Sequence, residues 1–361
     1  MDANRFDRVV RSFSGLSRRD ALRGAAGAAA MLAGAGAVAG TAEDASAAAC
    51  YPCKKTCVPL CGANCPTFPS RCRMFPADHI WNVRVDGLPV HPRSNQYVDT
   101  IGRWEPLHPD FGSGLWDRKP MGIPMTVASG MATATPVRFD EYGDESDAGP
   151  YFIPADALVE GGNCARGDRH VLVVDADRCR LYELYHSRLG KRGRWTAGSG
   201  AIWDLNGYQQ RPEGWTSADA SGMAMLPGLV RYEEVKAGRI AHALRFTVED
   251  AAGHVWPAVH MEENDETTAI PAMGHRFRLK AGVNISRFSP EVRVILTALK
   301  EYGMMIADIG SPWFLSGAPD ERWNQDALVA LQQDGGITGN DFECVDQRGL
   351  MISHDSARAR V

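Results

Sequence analysis

From residue 73 onward the chain alternates short apolar runs with turn-forming clusters, and that spacing is the pattern of many short strands. Thirty-seven glycines and twenty-one prolines in 361 residues supply the turns, which suits strands better than long helices. Strands are predicted over 137–142, 170–175, 179–186, 229–234, 242–249, 254–260 and 275–281. The second and third are joined by Ala176-Asp177-Arg178 and read as a β-hairpin. One segment has a different period: Ser289-Pro290-Glu291, then Val292, Ile295, Leu296 and Leu299, is a capped helix with proline in its first turn. Gly303 stops it, residues 304–309 read as a further strand, and a second helix is expected over 324–332. The expected fold is mainly β, a jelly-roll or β-sandwich-like single domain over 73–350, with one or two helices near its C-terminal end and a polar tail at 351–361.

A hydrophobic fraction of 44% and a charged fraction of 23% are ordinary for a globular protein and allow a full core. The net charge of -5 excludes nucleic acid as the main partner, because phosphate binding needs a basic field.

The first 49 residues do not belong to that fold. They begin with Arg5, Arg8 and Arg11, continue as Ser17-Arg18-Arg19-Asp20-Ala21-Leu22-Arg23, pass through an Ala/Gly-rich run at 24–40, and end on Ala45-Ser46-Ala47-Ala48-Ala49. A basic start, a weakly apolar middle and a small-residue cleavage site make an export signal, and the middle is too short and weakly apolar for a membrane span. The paired arginines resemble the twin-arginine class, with Ala21 departing from the phenylalanine usual there. The resemblance implies a periplasmic or secreted destination and a system that moves folded proteins, often with a cofactor aboard; no cofactor is identifiable from these residues.

Six of nine cysteines (Cys50, Cys53, Cys57, Cys61, Cys65 and Cys72) crowd into one Pro/Gly-rich segment, 50–72, and Cys164, Cys179 and Cys344 are spread beyond it. Oxidising export makes disulfides the default. The spacings fit neither ferredoxin-type runs nor two paired CxxC elements. Cys50, directly after three alanines, leaves open a lipidated N-terminus; the product touches a membrane only if Cys50 is lipidated. Cys164 and Cys179 flank the strand at 170–175 and are expected to pair.

Three stretches concentrate polar chemistry: 161–170, which packs acid, base and imidazole into a turn; the loop 201–219, with two tryptophans and two aspartates; and Trp256-Pro257-Ala258-Val259-His260. Loops of this composition suit sugar binding, with aromatic faces for stacking and amides and carboxylates for hydroxyls. On the strands, Leu181, Glu183 and Tyr185 share one face, and Arg245 opposes His242, Leu244 and Phe246. The candidate catalytic residues are therefore His170, Glu183, Tyr185, Asp204, His242 and His260, with Arg169, Trp203, Asn206, Trp215, Asp219 and Arg245 as substrate-binding candidates.

Two chemistries fit these types. Asp204 and Asp219 could be the paired carboxylates of a glycosidase. Alternatively, elimination from a uronic-acid polymer needs a base and an acid such as His170 or His242 and Tyr185, with Arg245 neutralising the substrate carboxylate. No HxH or HExxH spacing indicates a metal, no GxSxG elbow indicates a serine hydrolase, and no P-loop or dinucleotide fingerprint occurs. The stretches 167–175, 197–202 and 216–219 resemble a group of uncharacterised secreted bacterial proteins; the resemblance covers most of 75–343 and carries no activity. The expectation is an exported carbohydrate-active enzyme that cleaves a polysaccharide by elimination or hydrolysis, or else a non-catalytic glycan-binding envelope protein.

Overall fold

The hairpin at 171–185 and the helix capped by Ser289 organise the two halves of the fold. A computed structural model of the protein describes residues 66–116, 119–130, 134–162, 165–261 and 269–361. The proposed signal peptide, the cysteines from Cys50 to Cys65, and Cys164 lie outside the described residues. In chain order the strands are β1 (His108–Asp110), β2 (Leu115–Trp116), β3 (Lys119–Pro120), β4 (Met125–Ala128), β5 (Val137–Phe139), β6 (Val171–Asp175), β7 (Arg180–Tyr185) and β8 (Arg188–Leu189). They continue as β9 (Trp195–Ala197), β10 (Ser199–Asp204), β11 (Leu244–Val248), β12 (Arg276–Leu279), β13 (Met304–Ile309), β14 (Phe314–Ser316) and β15 (Phe342–Cys344). The α-helices are α1 (Ser94–Ile101), α2 (Tyr232–Lys236), α3 (Pro290–Glu301) and α4 (Gln325–Val329).

Six strands form the larger sheet in the order β1-β14-β11-β13-β12-β15, and four form a second, β10-β7-β6-β4. A small sheet, β5-β9-β8, and the ribbon β2-β3 complete the set among the described residues. The fold is β-rich, as expected. A jelly roll is antiparallel throughout, whereas here β1/β14, β11/β13, β4/β6 and β5/β9 pair in parallel. Parallel neighbours need long crossovers, and the chain between β11 and β13 supplies one by way of β12 and α3.

The second sheet is buried on both faces. Leu172, Val174, Leu181, Ala201 and Trp203 join the main core. On the opposite face, Val171, Val173, Tyr182 and Leu184 pack with Tyr151, Ile153 and Trp195. The larger sheet carries a stack of Phe246, Trp313 and Phe342, with ring centroids 5.4 and 5.2 Å apart, and α3 contributes Val292, Ile295, Leu296 and Leu299 to the same core. Ser289 caps α3 by accepting the Val292 N–H. Beyond α3, Gly303 stands at φ +67, where a side-chain carbon would sit 2.3 Å from the Phe277 carbonyl oxygen, so the helix stops there.

Two predicted strands are absent. Over 229–234 only Val230 makes a bridge, to Gly317, and Tyr232 begins α2; Arg231 bonds the Leu226 carbonyl and draws the chain into a turn. Over 254–260 only His254 makes a bridge, to Met273. Pro257 has no N–H to give to a ladder, and the Ala258 N–H closes a turn onto Val255. The pairing expected for Cys179 is also corrected: its partner is Cys72, not Cys164. The bond fixes the end of the Cys-rich segment to the β6–β7 turn, 107 residues on in sequence. Cys344 is a buried free thiol.

Candidate functional site

The two larger sheets meet at a small cleft lined by Asp168, His170, Tyr185, Ser199, residues 216–220, Asp308 and Ile309. Its far wall owes its chemistry to an irregularity. Along β11 and β13, Arg245 pairs with Met305 and Phe246 with Ile306, but Thr247 then pairs with Asp308, so Ala307 is an extra residue. Without that bulge Asp308 would fall opposite Val248, on the face that joins the core. With it, Asp308 falls opposite Thr247, on the same face as Arg245.

The floor is the segment 216–225, which is buried although it has no regular structure. Its own hydroxyls satisfy its backbone. Ser217 Oγ accepts the Asp219 N–H at 2.9 Å and donates to the Met223 carbonyl at 2.6 Å, and the Ser221 N–H reaches the bulged Ala307 carbonyl. Gly222 has φ +75, and a side-chain carbon there would meet the Trp215 carbonyl and Val259 at 2.7 Å. The result is a rigid loop that holds Asp219 beneath the cleft.

Asp219 and Arg245 form a bidentate pair, with Nε to Oδ2 at 2.9 Å and Nη2 to Oδ1 at 2.7 Å. The Asp219 side chain has no exposed surface. Asp308 Oδ2 stands 3.4 Å from the same Nη2, and Arg245 Nη1 donates to Ser316 Oγ at 2.6 Å. Two carboxylates thus share one guanidinium nitrogen. Burial, followed by the charge of Asp219, pushes the Asp308 carboxyl up to about 7 against the pull of Arg245, while 22% of its side chain reaches the cleft.

His170 sits just before β6. Its Nδ1 meets Glu160 Oε2 at 2.7 Å and its Nε2 meets the Ala218 carbonyl at 3.1 Å. Burial would lower its pKa, but the charge and hydrogen bond of Glu160 prevail and raise it to about 9. With acceptors on both nitrogens it is an imidazolium, a donor that positions the floor loop. Tyr185, at the end of β7, faces the cleft; burial, then Asp168, Glu141 and Asp308, raise its pKa.

Of the twelve residues singled out in the sequence, His170, Tyr185, Asp219 and Arg245 come together here. The others do not. Glu183 shares the Tyr185 face of β7 but is fully buried, with its carboxylate accepting from the Met225 and Leu226 N–H groups and from Trp203 Nε1. Burial lifts its pKa to about 7 against those donors. That bond places Trp203 in the core rather than on a binding surface. Asp204 lies at the other end of β10, half-exposed and 3.6 Å from Arg180, and the exposed Asn206 donates its N–H to Asp204 in the following turn. His242 belongs to a separate cluster with Glu234 and Arg231. Arg169 donates to the carbonyls of Ser187, Gly162 and Ala165 and is a structural clamp. Trp215 lies against Arg211, 5.3 Å from ring centroid to guanidinium carbon. His260 buttresses the floor, with Nδ1 at 2.6 Å from the Ala220 carbonyl and Nε2 at 3.8 Å from Glu145.

Sequence reasoning missed Asp308 and Glu160 as site residues, and Ser199 and Thr216 fell within stretches that carried no role for them. Met304–Ile309 reads as a core strand, and nothing in its residue types announces the bulge. Asp168 fell within a stretch that was singled out without being given a role. Among the described residues no group of His, Cys, Asp and Glu side chains is arranged to hold a metal ion, and no helix is long and apolar enough to cross a membrane. No protein family, curated protein or solved structure matches the chain.

Proposed function

We propose that the protein is an exported glycoside hydrolase whose cleft holds one sugar unit of a glycan, with Asp308 as the proton donor to the glycosidic oxygen. The observation that carries this reading is the placement of Asp308 beside Asp219 on one guanidinium nitrogen, with its carboxyl open to the cleft. A proton donor at neutral pH must be a carboxyl that retains its proton there, and crowding two carboxylates is a recurring way to obtain one. Asp219 is itself closed off by Arg245 and has no exposed surface, which makes it the perturbing charge rather than the reacting group. Asp168 is the second carboxylate on the cleft wall. In the step proposed, the C–O bond to the leaving sugar breaks as the Asp308 proton passes to that oxygen. Water attacks the anomeric carbon, and its proton goes to Asp168.

Hydrolysis is preferred to elimination because both nitrogens of His170 already meet acceptors, and the Arg245 guanidinium is already held by Asp219, Asp308 and Ser316. A purely glycan-binding role is less well supported, since Trp203 and Trp256 are buried and provide no stacking platform at the cleft. Export by the twin-arginine route is part of the same proposal, supported by the paired arginines of the leader and by the Cys72–Cys179 bond.

The test is a screen of polysaccharides for new reducing ends, with ultraviolet absorbance of unsaturated uronates as the readout for elimination. Hydrolysis is expected, reduced on the order of 10²–10⁴-fold in Asp308→Asn with the fold unchanged by circular dichroism. The rate should fall as pH rises through about 7, where Asp308 loses its proton. Unsaturated products, or full activity in Asp308→Asn, would overturn the reading.

A further inference from the structure

From His186 to Ser199 the chain carries Arg188, Lys191, Arg192 and Arg194 and no acidic residue, in a protein whose net charge is -5. Arg188 lies on β8, and the other three lie on the turn that joins β8 to β9. That turn is one 3₁₀ turn, Lys191–Gly193, closed by the Gly190 N–H on the Arg194 carbonyl at 2.7 Å. Arg188, Lys191 and Arg194 are exposed.

The neighbouring acids do not cancel this charge. Arg138 is held by Asp140 at 2.8 Å, Glu160 meets the His170 imidazolium, and Asp168 is followed directly by Arg169. Glu141 takes the Nδ1 proton of His186, whose Nε2 accepts from Arg188 at 3.1 Å, so Glu141 offsets Arg188 at most. Burial, then the charge of Arg188, still pulls the Arg169 guanidinium below its ordinary value, so the positive field of the hairpin reaches the cleft wall. Lys191 and Arg194 make no ion pair among the described residues. The Asp140 and Tyr142 N–H groups bond the Ala197 and Gly198 carbonyls, which puts Asp140 and Glu141 at the opposite end of β9 from Arg194.

Guanidinium and ammonium groups recognise the oxygens of carboxylates, sulfates and phosphates. Geometry narrows the choice of partner. Arg194 and Ser199, on the cleft wall, are five residues apart and at most about 18 Å from each other. A ligand that reaches both is a chain rather than one sugar. An anionic bilayer would face the acidic remainder of the protein as well as the hairpin, whereas one polymer strand can meet the hairpin alone. We infer that the β8–β9 hairpin is a docking arm for a glycan that carries anionic groups, and that it holds units beyond the one seated in the cleft. The docking stands on the hairpin; only the clause about the cleft rests on the hydrolase reading.

The experiment uses the mature chain and measures binding to dextran sulfate, polygalacturonate, uncharged dextran and phosphatidylglycerol vesicles. The two polyanions should bind at low salt and dextran should not. Their affinity should fall roughly tenfold or more in Lys191→Gln/Arg192→Gln/Arg194→Gln. The parent should lose it likewise at about 0.5 M sodium chloride, where screening confines the field to a few ångströms. Asp308→Asn should bind the polyanions as the parent does. Absence of polyanion binding, unchanged affinity in the neutralised variant with its fold intact, or tighter binding to the vesicles than to either polyanion would overturn the inference. Hairpin-dependent binding without cleavage of any polymer would leave the docking arm standing and remove the hydrolase reading. Asp308-dependent cleavage without hairpin-dependent binding would do the reverse.

Discussion

Two clusters in this protein use the same residue types to opposite effect. In one, Arg231, Glu234 and His242 meet beside α2; in the other, Arg245, Asp219 and Asp308 meet beneath the cleft. Glu234 and Asp308 are equally accessible, each with 22% of its side chain exposed. Burial raises both, yet Glu234 ends below the ordinary carboxylate value and Asp308 ends at about 7. Stoichiometry makes the difference. Glu234 faces both Arg231 and His242, and the second carboxylate on Arg231, Glu233, stands off at 3.6 Å, whereas Asp308 shares one guanidinium with a second carboxylate that already holds it bidentately. A structural ion cluster saturates its charges; a reactive one leaves a carboxyl short of partners.

Removing each arginine is the strongest way to break this comparison. Arg245→Met leaves the Asp219 carboxylate buried with no exposed surface and no cation, and should cost about 3–5 kcal/mol. Arg231→Met leaves Glu234 with His242 at 3.1 Å and with access to water, and should cost about 1–3 kcal/mol. Urea unfolding of the two variants measures both. Equal losses would mean that the clusters are alike and that the cleft pair is ordinary scaffolding.

Much of the scaffold was legible in the residues because local chemistry specifies it. The β6–β7 hairpin follows from two apolar runs around Ala176-Asp177-Arg178, and α3 from Ser289, Pro290 and the spacing of Val292, Ile295, Leu296 and Leu299. Features set by tertiary context were not. Cys179 has Cys164 nearer in sequence, but the turn carrying it packs against the segment that ends at Cys72. Asp308 lies in a run of Met, Ile and Ala whose alternation would turn it away from Arg245, and only the register shift at Ala307 brings it round. Glu183 looked catalytic because a carboxylate on an apolar strand is unusual. Its partners, two backbone N–H groups at 225–226, are more than forty residues away.

Glu183 gives a smaller effect with a pH signature. Its folded pKa of about 7 exceeds its ordinary 4.5, so between those values the folded chain keeps a proton that the unfolded chain releases. Stability therefore falls as pH rises through that window, and Asp308 adds to the slope with the same sign from 3.8 to about 7. Glu183→Gln cannot ionise and should flatten the slope. It should also cost about 1–3 kcal/mol at pH 5, because the amide nitrogen must face the N–H donors of Met225, Leu226 or Trp203. Unfolding free energies measured between pH 4.5 and 8 decide it; an unchanged slope would show that Glu183 is ionised throughout.

The smallest expected effect bears most directly on where the site is. The sequence offers Asp204 and Asp219 as one candidate pair of carboxylates, yet Ser199 at the start of β10 lines the cleft while Asp204 ends the strand, five residues on. A strand advances about 3.3 Å per residue, so Asp204 is far outside the reach of a sugar unit held against Asp308. Among the described residues its ion-pair partner is Arg180 at 3.6 Å, with both side chains about 40% exposed, an arrangement that adds little in water. Its carboxylate also accepts the Asn206 N–H in a turn, a modest local contribution. Asp204→Ala should therefore shift stability by about 0.5 kcal/mol or less and leave hydrolysis within about twofold of the parent. A loss of activity comparable to that of Asp308→Asn, with the fold intact, would move the chemistry to the other end of the sheet and remove the reason for treating the two arginine clusters as different.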